Sequence, residues 1–97
     1  MKTIGGYLIQ KERERQIEEE GFDSKHDNQH SFKELIAAAI SYCAINLNID
    51  GSKELSESIW PWDKKWYKPK NTLRDLTRAG ALIAAAIDKI KNEDEHQ

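Results

Sequence analysis

The sequence predicts an all-α fold: a small three-helix domain with an irregular Trp/Pro-rich segment between helices 2 and 3. Three observations carry this. Three stretches place apolar residues at helical spacings of three and four, with turn-forming residues between them. No stretch sustains the period-two alternation of a half-buried strand, so essentially no sheet is expected. All three tryptophans and both prolines fall in one run, "SIWPWDKKWYKPKNTLRDL", residues 58–76, which has no helical period at its centre. The 97 residues fit one domain, 1–97, with a core from about 7 to 91 and a frayed tail over 92–97.

The first helix covers roughly residues 7–20, "YLIQKERERQIEEE", ahead of Gly21 as a C′ residue. Its apolar content is thin: Tyr7, Leu8, Ile9, then Ile17. The pairs Glu12–Arg15, Arg15–Glu18 and Arg15–Glu19 stand at helical spacing. Each adds only a few tenths of a kcal/mol, roughly, so this helix must dock on something to be firm.

The second helix opens with a capping box, Ser31 followed three residues later by Glu34, and runs to about Leu47. It is apolar nearly all round, which marks a central, buried helix and makes Cys43 an inert core thiol. "NLNIDGSKE" is turn-rich, with Asp50-Gly51 the strongest breaker and a short helical turn around 53–59. The third helix follows Pro69, with Thr72 as cap and Asp75 near the positive end of its dipole. Leu73, Leu76, Gly80, Ile83, Ile87 and Ile90 form its stripe, widened by Ala79, Leu82 and Ala86. A mid-helix glycine costs about 1 kcal/mol against alanine, and Gly80 implies close backbone approach. Ala37 and Ser41, and Ala81 and Ala85, are spaced four apart, so these two helices cross tightly or pair across a dimer interface.

Composition narrows the function. A net charge of −2 argues against a general nucleic-acid binder. No apolar run reaches the roughly 18–20 residues of a membrane span, and "MKTIGGYLIQ" lacks the long apolar region and cleavage site of a signal peptide. A single cysteine cannot form an internal disulfide and suits a reducing cytoplasm. The small core favours a homo-oligomer.

Four places could carry chemistry. In "HDNQH", residues 26–30, His26 and His30 are four apart, and so are His30 and Glu34. If helical, they could hold a metal; otherwise Asp27 and Asn28 satisfy loop donors and the histidines hydrogen-bond a ligand or one another. On the first helix, Arg13, Arg15 and Gln16 stand among glutamates. This is either a solvated face with ion pairs or a set of arginine forks for phosphate, with the carboxylates holding the arginines, binding ribose hydroxyls or ligating magnesium. Trp60-Pro61-Trp62, Trp66 and Tyr67, among Lys64, Lys65, Lys68 and Lys70, can wrap a thin core or stack a purine while cations hold its phosphates. Arg74, at a helix N-terminus, favours an anion there, and Asp75 opposes it unless it caps or binds metal.

Many of these residues carry a resemblance. The succession Glu12-Arg13, Arg15-Gln16-Ile17, Glu20-Gly21-Phe22, His26-Asp27, His30, Trp60-Pro61-Trp62, Trp66, Lys68-Pro69, Arg74-Asp75-Leu76 and Ala79-Gly80-Ala81-Leu82-Ile83 resembles a family of short proteins encoded by tailed phages and prophages, from about residue 10 to 90. Tyr67 stands where that family carries a second tryptophan, a change that stacking survives. The resemblance implies a phage origin and a host bacterial cytoplasm, and it supplies no reaction. Phage accessory proteins of this size include sponges that sequester nucleotide immune signals, all-helical pyrophosphohydrolases of the MazG and dimeric dUTPase type, and inhibitors of host proteins. The sequence favours the first: non-catalytic binding of a nucleotide-like phosphorylated ligand, with no cofactor and no resident metal. Arg13, Arg15 and Arg74 hold phosphate, Trp60, Trp62 or Trp66 stacks the base, Gln16, His26 and His30 read hydroxyls or base edges, and Asp27 and Lys68 complete the ligand set. The enzyme alternative has Glu34 and Asp75 holding magnesium, but Thr72 stands where the ExxD partner of Asp75 belongs.

Overall fold

The computed structural model describes residues 2–20 and 30–95, with side chains up to residue 92. Among the described residues the fold is all-α. It has four helices, α1 (Ile4–Glu20), α2 (Phe32–Ala44), α3 (Ser52–Ile59) and α4 (Thr72–Glu95), and two 3₁₀ turns, Ile45–Leu47 and Lys64–Trp66. The expected turn at 53–59 is therefore a helix in its own right, so the three-helix count becomes four. It starts after Gly51, whose φ of 85° closes the turn in the left-handed region that glycine enters freely. No helix of the described residues is long and apolar enough to cross a membrane.

Local signals set most helix ends. The Ser31–Glu34 capping box forms in both directions. Thr3 caps α1 by accepting from the Gly6 amide at 2.9 Å. Two helix-weakening glycines in that first turn hid the true start from a propensity reading. At α4 the cap is Asn71, whose Oδ1 accepts from the Arg74 amide at 2.9 Å, and Thr72 is already helical. Asp75 instead accepts from the Lys70 amide and from Asn46 Nδ2, tying the C-terminal end of α2 to the start of α4. Helix α4 runs to Glu95, so residues 92–95 of the expected frayed tail are helical, and 96–97 lie outside the described residues.

Helix α4 is the spine. Helix α2 packs antiparallel along it, α1 lies on another face, and α3 packs on α2. The core comprises Leu35, Ala38, Ala39 and Tyr42 of α2 with Ala79, Leu82, Ala85 and Ala86 of α4. Alanine dominates it, so the α2 and α4 backbones come close, as the small-residue spacing implied. The large aliphatic stripe does the opposite of what burial would demand: Leu73, Leu76, Ile83, Ile87 and Ile90 face outward. On α2, Ile36, Ile40 and Cys43 are also exposed, so that helix is not central all round and Cys43 is not a core thiol. Burial of the thiol's immediate surroundings still pushes its pKa up.

Helix α1 docks within its own chain, chiefly through polar groups. Its buried residues are Glu12 and Gln16. The close approach expected of Gly80 is real, but its neighbour is α1 rather than α2: a Cβ there would sit 2.5 Å from Ile9 Cδ1 and 2.7 Å from Cγ1. Ile9 is β-branched on a helix, so its χ1 cannot turn freely away. Gly80→Ala gains about 1 kcal/mol of helix propensity yet forces this overlap, at roughly 1–3 kcal/mol. The expected result is a net loss of about 1 kcal/mol by chemical denaturation, reversed to a gain when Ile9→Ala removes the obstructing atoms.

Candidate functional site

A cleft of about 810 Å³ opens between α1, α2, the tryptophan segment and α4. Its size falls within the roughly 300–1,000 Å³ of small-molecule sites. The tryptophan segment builds the aromatic wall. Pro61 restrains the backbone between Trp60 and Trp62. Trp60 donates its Nε1–H to the Asp63 carbonyl at 3.0 Å, and Asp63 in turn caps the 3₁₀ turn through the Lys65 amide. Trp60 lies edge-on to Tyr42 and to Trp62, with centroids 5.5 and 5.3 Å away. Trp62 donates to Glu34 Oε2 at 2.7 Å, and its ring is 4.7 Å from the His30 ring. That hydrogen bond, first, and the Ser31 amide hold the Glu34 carboxyl below the usual carboxylate range. These two indoles also pack against the core, so they serve fold and cleft together. Trp66 differs: it is 60% exposed, with Lys65 and Lys68 ammonium groups 5.4 and 5.9 Å from its ring.

Behind this wall, the Ser41 carbonyl accepts from Tyr67 OH at 3.0 Å and from Ser56 Oγ at 2.9 Å, and the two hydroxyls also meet each other. This network fixes the segment to α2 and α3. Burial pushes the Tyr67 hydroxyl pKa up, as it does at Tyr42, where the nearby Arg78 charge opposes the shift.

The opposite wall is α1. Glu12 is buried and grips two guanidiniums: Arg15 at 2.7 Å and Arg74 at 2.8 Å. Burial would raise the Glu12 pKa, but the hydrogen bonds from Arg15 and Arg74 outweigh it and hold the carboxyl below its ordinary value. The Glu12 bond, ahead of Glu20 and Glu19, pushes the Arg15 pKa further up. Arg15 therefore faces the cleft already bound by three carboxylates. Arg13 lies elsewhere, paired with Asp88 at 3.1 Å. Gln16 is buried at the cleft, and its Oε1 has no hydrogen-bond partner among the described residues.

The structure thus brings together Arg15, Gln16, His30, Trp60, Trp62, Trp66 and Lys68 of the residues read from sequence. It sets Arg13 and Arg74 outside the cleft, as ion-pair partners on α1 and α4. His26 and Asp27 lie outside the described residues. Sequence reasoning missed Arg78 and Tyr42. Arg78 stands one helical turn beyond Arg74, a spacing that could have flagged it. Its Nη1 donates to the Lys68 carbonyl at 2.7 Å, and its guanidinium lies 5.6 Å from the Tyr42 ring. Among the described residues neither Arg78 nor Lys68 pairs with a carboxylate, so the cleft lining carries these two cations along with the acceptors Glu19 and Glu20.

The carboxylates of the enzyme alternative have structural partners. Asp75 is buried under the Lys70 amide and Asn46, while Glu34 caps α2 and holds Trp62. No group of three His, Cys, Asp or Glu side chains converges among the described residues. Compared with known proteins, the chain matches no family model, no curated protein and no solved structure.

Proposed function

We propose that this chain binds, without transforming it, a planar ligand carrying a negative group at one end, of the nucleotide type. One observation carries the reading: a single cleft holds three indoles beside two cations that lack carboxylate partners among the described residues. Lys68 and Arg78 take the anionic group, in place of Arg13 and Arg74, whose charges are matched within the fold. Indole surface at Trp66 stacks the planar part. Glu19, Glu20 and the buried Gln16 Oε1 accept from the ligand's hydroxyls or ring amines, and a donor reaching Gln16 recovers the roughly 1–3 kcal/mol that an unpaired buried acceptor costs. With the resemblance to short phage proteins, the biological role that follows is sequestration of a nucleotide immune signal in the cytoplasm of an infected bacterium.

The test avoids residues that hold the fold. Alanine at Trp62 or Arg13 removes the bond to Glu34 or to Asp88, so lost binding there would be ambiguous. Trp66→Ala and Lys68→Glu change exposed side chains. Titration of the wild type with adenosine monophosphate and with a cyclic dinucleotide, followed by tryptophan fluorescence and calorimetry, is expected to give saturable binding of at least one. Each variant is expected to weaken it on the order of tenfold, since base stacking contributes about 1–3 kcal/mol. Unchanged affinity in both folded variants overturns the assignment.

A further inference from the structure

Apart from Gly80, which Ile9 of α1 covers, the outward stripe of α4 has no partner among the described residues. Leu73, Leu76, Ile83, Ile87 and Ile90, with Gly80 filling the gap between Leu76 and Ile83, recur at alternating spacings of three and four, and the five aliphatics are 40 to 66% exposed. That is the spacing of a helix–helix seam, and no charged residue interrupts it at the seam positions. Helix α2 adds a second stripe, Ile36, Ile40 and Cys43, extended by Leu47.

The two stripes share a side. At 100° per residue, Ala39 sits between Tyr42 on one flank and Ile36 and Cys43 on the other. On α4, Ala79 and Ala86 likewise separate Leu82 from Ile83 and Ile90. The alanines are buried in the α2–α4 contact, and Tyr42 and Leu82 line the cleft. The aliphatic stripes therefore lie on the face turned away from it.

We infer that this two-helix face is where a second copy of the chain docks, pairing α2 and α4 of each protomer in one four-helix layer. Area favours this occupant. The eight aliphatics of the two stripes, each 39 to 66% exposed, offer several hundred Å² per protomer, on the scale of the ~800 Å² each partner buries in a standard interface. Core economy favours it too. Among the described residues the buried core holds Leu35, Tyr42 and Leu82 with five alanines, while five large aliphatics of α4 lie outside. A small domain that spends its aliphatics this way gains its missing apolar burial by association. A two-fold contact needs a patch complementary to itself, and an aliphatic stripe repeated on each copy satisfies that.

Sedimentation and light scattering of the full chain at micromolar concentration are expected to give a dimer, and Ile83→Glu with Ile87→Glu a helical monomer. A monomeric wild type, or a dimer that survives both substitutions, overturns the inference. Cys43 gives a reading that needs no destabilising variant. Its thiol lies in the stripe, so alkylation of the wild type is expected to be slow when concentrated and to quicken at least tenfold on dilution below the dimer dissociation constant. Labelling at one rate across that range overturns the inference, as does a monomer that shields Cys43 only with an added host protein.

Discussion

Replacing Glu12 with glutamine is expected to cost roughly 3 kcal/mol, the low end of what removing one member of a buried ion pair costs. The low end applies because Arg15 and Arg74 keep about a third of their side chains exposed while Glu12 keeps 1%. Glutamine fills the same volume, so the loss isolates the charge: Arg74 loses its carboxylate and Arg15 keeps only Glu19 and Glu20. In a domain of this size the melting temperature should fall on the order of 12–24 °C. The pH dependence has a definite sign. Folded Glu12 titrates below its ordinary 4.5, so its contribution is complete above that pH and is lost as pH falls through the lower folded value. The gap between wild-type and Glu12→Gln melting temperatures should therefore be widest near neutrality and narrow in acid below about pH 4.5. A gap of a few degrees that ignores pH would refute the role.

The second large effect separates the indoles. Trp60→Ala is expected to cost about 3 kcal/mol, near the low end for aromatic truncation because the ring is half-buried. It removes edge contacts to Tyr42 and Trp62 and the tilted contact to Tyr67, whose centroid is 4.8 Å away. Trp66→Ala should stay within about 0.5 kcal/mol of wild type. Urea denaturation midpoints compare the two directly. Equal costs would mean that the segment does not divide into a structural and an exposed indole.

That division answers part of what the sequence left open. Local chemistry was legible: the Ser31–Glu34 box, the Asp50-Gly51 break and the Arg15–Glu12 pair all depend on residues a few positions apart. The tertiary side of a stripe was not. Periodicity marks Leu73, Leu76, Ile83, Ile87 and Ile90 as one face, but it does not say whether that face meets this chain. Ala79, Ala85 and Ala86 win the interior because two backbones approach where side chains are small, and isoleucines do not fit there. The cleft was legible in its aromatics, since three tryptophans in seven positions cannot all be enclosed by so small a core. Of its expected cations Arg15 and Lys68 line it, while Arg13 and Arg74 lie outside it, because where a guanidinium sits depends on which carboxylates fold back onto it. Glu12 reaches Arg74 across 62 positions, and no spacing rule announces that.

Helix α1 is fastened to the spine through the Arg13–Asp88 and Glu12–Arg74 pairs, with Ile9 packed against Gly80. Dissolved salt screens the outer Arg13–Asp88 pair, whose carboxylate is 55% exposed, far more than the buried Glu12 pairs. Rising ionic strength would therefore loosen the outer fastening of α1 first and leave the buried one, with the cleft wall it holds, in place.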